Sequence, residues 1–147
     1  MGKPGIDFPG LGTGLAILRD GKILLYRRLK APEAGFWSIV GGKVDHMEPA
    51  AQASIREAGE ESGLSIGKID YLCTAEVIVE ADRQHWISLI YVCKDFSGEP
   101  RLMEPDKLSD FGWFGRSELP AQLSAFATAT IAHLSEEDFR RRASPVQ

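Results

Sequence analysis

Glu57, Glu60 and Glu61 follow Arg56 in an Ala-rich stretch that runs from Pro49 to Ser62. Pro49 suits a first helical turn and Gly63 suits a left-handed stop just past the end, so the pattern predicts a helix over 49–62. At about 100° per residue, Glu60 and Glu61 lie within about 60° of Glu57 around the helix axis. Like charges three and four residues apart destabilise an isolated helix by a few tenths of a kcal/mol per pair, roughly, so folding alone gives little reason to gather them. A hard divalent cation resolves the conflict: Mg²⁺ takes one or two carboxylates and keeps waters and phosphate oxygens in its remaining octahedral positions. The spacing therefore suits Mg²⁺, with Mn²⁺ as an alternative. On these four residues alone the competing explanation is a solvated helix in which Arg56 pairs with Glu60 one turn on.

The elements that must position this helix are also legible. Residues 13–19 and 23–28 are apolar runs around Asp20-Gly21, a dipeptide that tolerates positive φ and closes a hairpin. After a loop with Pro32 and Gly35, a short run from Trp37 to Val40 ends on Gly41-Gly42, read as a flexible corner where backbone approaches a ligand. Residues 69–80 and 86–93 are rich in β-branched and aromatic residues and read as paired antiparallel strands. Lys94 to Asp110 reads as loop, Phe111 to Phe114 as a strand, and Pro120 to Leu134 as a helix that packs on the sheet. Beyond Ser135 the charged segment with Arg140, Arg141 and Arg142 reads as a solvated tail. No repeat or linker interrupts the chain.

Residues 42–64, GKVDHMEPAAQASIREAGEESGL, satisfy a longer pattern: Gly, five residues, Glu, seven residues, then Arg-Glu-aliphatic-any-Glu-Glu-any-Gly-aliphatic. Every fixed position matches, and only Ala58 is a minimal aliphatic. With ordinary residue frequencies such a match arises by chance on the order of once in ten million chains of this length. The chain resembles the Nudix hydrolase family, and the hairpin, the FWSIVGG approach and the GWF strand with its closing helix extend the resemblance over nearly all of it. The resemblance implies an α/β fold, the Nudix α/β/α sandwich with a mixed sheet. It makes residues 1–147 one domain with the box at 42–64, a flexible start over about 1–10 and a tail over about 136–147.

It also implies hydrolysis of a nucleoside diphosphate linked to another group, by water attack on phosphorus with divalent metal. Glu57, Glu60 and Glu61 are then the metal-binding, catalytic carboxylates, and the position of Glu57 is the one most often able to take a proton from water. Arg56 orients the carboxylates, Glu48 braces the loop at the helix start, and the Gly41 carbonyl is a further metal ligand, with Gly42 supporting the same turn. Outside the box, Glu104 or Asp106 is the additional acid, with Glu76 and Glu80 as rivals. Arg27 or Arg28 holds a phosphate oxygen, and Trp37 or Phe36 stacks on a base. The chain departs from the family at Val40, where Pro is common, and at Met47 and Pro49, where Gly and a small polar residue are common. The loop conformation and the projection of His46 and Met47 are the features those departures affect.

The 147 residues carry a formal charge of -4 with 44% hydrophobic residues, the profile of one globular domain able to build a core without disulfides or structural metal. The acidic balance excludes the basic face of a nucleic-acid duplex binder. No signal-peptide core and no run near 18 apolar residues occurs, so the expectation is a cytoplasmic protein with no membrane partner, monomeric or homodimeric. Ile6 stands where an N-terminal acylation signal would want Ser or Thr. Cys73 and Cys93 read as buried thiols, and His85 has no assigned role. The runs HWISLIYV, MEPDKLSDFGWF and SELP resemble the small MutT-like branch, and no Pro occurs between Pro49 and Pro100, where ADP-ribose-acting relatives commonly carry one. The expected substrate is a (d)NTP cleaved to (d)NMP and pyrophosphate. The alternatives are ADP-ribose or another nucleotide sugar, and a catalytically silent nucleotide sensor.

Overall fold

The computed structural model describes residues 2–140. Asp20 at φ 52° and Gly21 at φ 75° both take the left-handed conformation, so the pair closes a two-residue hairpin between β1 (Gly10–Arg19) and β2 (Lys22–Arg28). β1 runs parallel to β7 (Gln84–Cys93), with Gly10 opposite Trp86 and Ile17 opposite Cys93. Its first half also pairs antiparallel with β4 (Val40–Lys43). β6 (Ile69–Val79) pairs antiparallel with β7 as expected, while β3 (Trp37–Ser38) and β9 (Leu108–Phe114) both pair with β2. The result is a mixed sheet in the order β3-β2-β1-β7-β6, with β4 and β9 attached to β1 and β2. β5 (Ser65–Ile66) and β8 (Phe96–Ser97) form a separate short pair.

Strand alternation divides the apolar residues between the two faces. Ala16, Leu18, Ile23 and Leu25 join Ile39, Ile90 and Ala127 in one core, beneath α2 (Ala125–His133). Leu15, Ile17, Leu24 and Tyr26 join Val40, Ala58 and Leu64 in the other, beneath α1 (Ala50–Ser62). Helices on both faces of a mixed sheet make the expected α/β/α sandwich. Each fully buried Leu or Ile contributes about 1.5–3 kcal/mol, so neither face is dispensable. Cys73 and Cys93 are buried and free, and each raises its thiol pKa through burial.

Two local expectations are corrected. Gly41 and Gly42 are not a corner but lie inside β4, opposite Gly14 and Thr13. The last helix starts at Ala125 rather than Pro120, because Ser124 is its cap, accepting the Ala127 N–H at 3.0 Å, while Leu123 bridges to Trp37. At the start of the chain, Gly5 N–H donates to Phe8 O at 2.7 Å and accepts at its carbonyl from His85 N–H at 2.9 Å. At the other end, a 3₁₀ turn over Glu137–Phe139 sits under Arg116, and Lys94 pairs with Asp138 at 2.6 Å. Arg141 and Arg142 lie outside the described residues.

Candidate active site

α1 begins after Pro49, whose extended backbone (φ -62°, ψ 138°) lets it precede the first turn, and ends at Gly63 (φ 76°), whose N–H donates to Gly59 O at 2.9 Å. Its buried residues are Ala53, Ser54, Ala58, Glu61 and Ser62. The small side chains bring the helix close to β1 and β4, and Glu61 rides on the same face into the interior. Neighbouring carboxylates therefore differ in environment: Glu61 is 9% exposed, while the Glu57 and Glu60 side chains are 18% and 49% exposed.

Arg56 is the hub of the exposed flank. Its Nε and Nη2 donate to the two Glu48 oxygens at 2.8 and 2.9 Å, a bidentate pair, and Nη1 donates to Glu57 Oε1 at 2.8 Å. Nη1 also reaches both Glu60 oxygens at 3.4 Å, and Nη2 donates to Lys43 O at 3.2 Å. The Arg56 guanidinium, with the Asp45 N–H at 3.1 Å, holds the Glu48 carboxyl down to about 2. Glu48 thus stays charged and tethers the loop before α1 to the helix. In that loop Met47 takes φ 66° and is 89% exposed, so the side chain at this departure from the family projects into solvent.

The two inner carboxylates are shifted the other way. Burial pushes Glu61 up to about 8, with Glu57 and Glu104 adding repulsion, against a lowering hydrogen bond from Gly41 N–H at 2.7 Å and the charge of Arg28. Burial also raises Glu57, opposed by Arg56 and reinforced by Glu60 and Glu104. Glycine at 42 lets the Glu57 carboxyl approach β4, and glycine at 41 lets β4 lie close against β1. A Cβ on Gly42 would lie 2.4 Å from the Glu57 carboxyl, and one on Gly41 would lie 2.3 Å from Thr13 O.

Among the described residues no three acidic, imidazole or thiol side chains already converge on one point; Arg56 stands among Glu48, Glu57 and Glu60 instead. The donor set nevertheless fits a hard divalent cation. It offers oxygen atoms only, and at Glu57 and Glu61 burial and mutual repulsion outweigh the charges of Arg56 and Arg28, which leaves the pair short of positive charge that a cation would supply.

β4 is also the wall of a 360 Å³ cavity on the α2 side of the sheet. Gly41, Gly42 and Lys43 form its rim, and Arg28, Glu33, Ser38, Trp86, Ser88 and Phe126 are among the residues lining it. Arg28 faces this cavity and donates to Pro32 O at 2.7 Å; burial lowers its pKa, against the charges of Glu61, Glu33 and Asp82. The sequence candidates are distributed unevenly. Glu57, Glu60, Glu61, Arg56 and Glu48 are brought together, with Gly41 and Gly42 against them. Glu104 acts on both inner carboxylates, whereas Asp106 is exposed in the following turn.

Glu76 is drawn to His85 at 2.7 Å, and Glu80 opens the exposed turn after β6. Arg27 lies outside the cavity lining and donates to Gly35 O at 3.1 Å. Trp37 packs edge-on to Phe114 at 5.2 Å within the α2-side core, and Phe36 is likewise absent from the lining. Trp86 and Glu33 are lining residues that sequence reasoning missed. Strand alternation from Gly10, Gly12 and Gly14 across to Trp86 and Ser88 is the signal that points to the former; Glu33 sits at φ 58° in a loop and carries no such signal.

Residues 9–134 match the NUDIX domain family, and the chain belongs to it. Its structure superimposes with a TM-score of 0.83 on a MutT NUDIX hydrolase from Burkholderia pseudomallei, 42% identical and covering 86% of this chain and 98% of that one. In sequence it is 32% identical over 113 residues to the ADP-ribose pyrophosphatase of Methanocaldococcus jannaschii, 76% of this chain and 65% of that protein. It is 42% identical over 59 residues to the CTP pyrophosphohydrolase of Escherichia coli, 40% of this chain and 44% of that one. The chain thus spans less than two thirds of each of these two curated relatives.

Proposed function

We propose that the chain is a divalent-cation-dependent pyrophosphohydrolase that cleaves a (d)NTP to (d)NMP and pyrophosphate. The observation that carries this reading is the pair Glu57 and Glu61, both raised, seated against the Gly41-Gly42 strand whose other side borders the cavity. Glu57, Glu60 and Glu61 are the residues that hold the cation, Mg²⁺ or Mn²⁺, with the Gly41 carbonyl as a further ligand. When bound, the cation neutralises phosphate charge and lowers the pKa of water. Glu57 is our choice for the group that takes the proton from the attacking water, since it lies between the exposed Glu60 and the buried Glu61 and matches the position that most often plays this part in the family the chain resembles. Glu104 is the additional acid that tunes it. Arg56, itself held by Glu48, orients Glu57 and Glu60 through direct hydrogen bonds and touches no substrate. Arg28 holds a phosphate oxygen between the cavity and the carboxylates.

The size of the cavity supports a single nucleoside, because 360 Å³ lies near the lower end of the roughly 300–1,000 Å³ range of small-molecule pockets. A nucleotide sugar is the second reading, favoured by the similarity to the M. jannaschii ADP-ribose pyrophosphatase. We assign the protein to the cytoplasm, where such substrates are abundant. A silent sensor is disfavoured because every box carboxylate is present. The test is a panel of dNTPs, oxidised dGTP and ADP-ribose with Mg²⁺, scored for pyrophosphate or phosphate release in the wild type and in Glu60→Gln. Triphosphate turnover that falls at least about 100-fold in the variant is expected. Turnover of ADP-ribose and of no triphosphate would overturn the first choice, and unchanged activity in Glu60→Gln would overturn the cation role.

A further inference from the structure

The family match begins at residue 9, yet part of the cavity wall precedes it: Lys3, Pro4 and Ile6 line the cavity. They belong to a turn closed by the Gly5 N–H to Phe8 O and Asp7 N–H to Lys3 O bonds, at 2.7 and 2.9 Å, and pinned to β7 through Gly5 O. Trp86 is its seat. A Cβ on Gly5 would lie 2.3 Å from the indole, and one on Gly10 would lie 2.4 Å from it, so both positions require glycine; Gly5 also takes φ 84°. The turn is therefore fitted to this indole rather than draped over it.

The polar groups at this end have one sense. An indole N–H only donates, so the atom that Trp86 Nε1 meets at 2.7 Å on Gln84 is the amide oxygen, and the NH₂ is what Gln84 has left to offer. Gln84 lines the same cavity. Lys3 carries three ammonium donors and makes no ion pair among the described residues. Guanine and thymine present carbonyl acceptors to such donors, whereas adenine presents its own amino group.

We propose that the N-terminal turn and Gln84 form the wall that selects the substrate's heterocycle, favouring bases with carbonyl oxygens over adenine. This deepens the nucleotide reading above and rests on it. Pro4 and Ile6 pack the ring, while Gln84 and Lys3 donate to its oxygens. The residues act on binding, not on the bond broken, so their signature is KM rather than kcat.

The test is kcat and KM for dGTP, dTTP and dATP with Mg²⁺ in the wild type, Gln84→Glu and Gly5→Val. The wild type is expected to use the better of dGTP and dTTP at least tenfold more efficiently than dATP. Gln84→Glu keeps the acceptor for Trp86 and replaces the donor with an acceptor. It should raise KM for the preferred nucleotide at least tenfold, with kcat within twofold and the dATP KM within threefold. Gly5→Val displaces the whole turn and should raise every KM while erasing the preference. Equal use of dATP by the wild type, or unchanged KM values and ratios in both variants, would overturn the inference and leave the hydrolase intact. If the wild type cleaves no nucleotide, the hydrolase reading fails, and calorimetric binding of dGMP, TMP and dAMP decides the wall separately. The same order of affinity, weakened in both variants, supports it; equal affinities or no binding overturns it.

Discussion

Glu57, Glu60 and Glu61 occupy little more than one helical turn, yet their environments run from half-exposed to nearly closed. Spacing revealed that they share a side of the helix, because angle per residue is a property of the chain alone. It did not reveal that Glu61 is the buried member, because burial depends on β4 lying across α1 and on glycine at 41 and 42. The loop before the helix shows a converse case. Met47 departs from the family's glycine while keeping a left-handed backbone, φ 66°, with its side chain 89% exposed. An L-residue pays for that conformation in Cβ crowding, about 1 kcal/mol, with no packing lost on truncation. Met47→Gly is therefore expected to stabilise the protein by about 1 kcal/mol, read as a rise in urea midpoint at unchanged m-value. A fall in midpoint would mean that the side chain makes contacts or that loop entropy dominates.

Strand β4 joins the carboxylate helix to the cavity, and its two glycines answer to different neighbours. The Cβ of Gly42→Ala would press on the flexible end of Glu57, which moves aside, whereas that of Gly41→Ala would meet the Thr13 backbone at 2.3 Å. Gly42→Ala is expected to cost under about 1 kcal/mol of stability but at least tenfold in turnover, while Gly41→Ala loses about 1–3 kcal/mol through forced strand displacement. Thermal melts alongside kcat separate the two; equal stability losses would show that β4 yields as a unit.

The hairpin, both central strands and α1 were legible in the sequence because their patterns are local. Gly41-Gly42 carries the usual mark of a corner, and only the pairing of β4 with β1 overrides that mark. Of the cavity, Arg28 was visible only as one of two adjacent arginines, since the choice between them depends on which face of β2 turns toward the site.

The turn at Glu137–Phe139 is held differently, by the Lys94 pair. Burial pushes the Asp138 carboxyl up, but the Lys94 ammonium and the Ser135 N–H and hydroxyl outweigh it and leave it below its ordinary 3.8. A lowered folded pKa contributes stability that is complete above the unfolded value and lost as pH falls through the folded one. The wild type should therefore lose up to about 1 kcal/mol from this site below about pH 4, a modest amount because Lys94 is half-exposed. Asp138→Asn should lack that contribution at neutral pH and show a correspondingly flatter acid limb in its melting temperatures. Identical acid limbs would exclude the pair as the anchor.

Across the whole molecule, acids exceed bases by four, and the box holds Glu48, Glu57, Glu60 and Glu61. With Asp45 counted and Lys43 and Arg56 set against the acids, residues 42–64 carry a formal -3 of the chain's -4, so most of the acidic surplus is concentrated in that one site. Such an arrangement couples stability to cation binding, since a ligand that binds only the folded state adds RT ln(1 + [L]/Kd), about 2.7 kcal/mol at a hundredfold excess over Kd. For a chain of this size that corresponds to a rise in melting temperature of roughly 5–10 °C. Mg²⁺ or Mn²⁺ should produce it and an equal ionic strength of NaCl should not, because general screening does not replace a ligand.

Glu61→Gln gives the two expected effects opposite signs. The amide oxygen keeps the Gly41 hydrogen bond and replaces a buried acid pushed up to about 8, which the cation-free fold must either protonate or bury charged beside Glu57 and Glu104, so the cation-free variant should melt above the cation-free wild type at neutral pH. The same change removes a ligand, so the variant's rise with Mg²⁺ should shrink by at least half. Stability stored against function in this way predicts that the two melting curves cross as Mg²⁺ is titrated. A variant that melts lower without cation would show that the Glu61 carboxyl itself stabilises the fold, and one that keeps its full Mg²⁺ response would show that the cation is held by Glu57 and Glu60 without it.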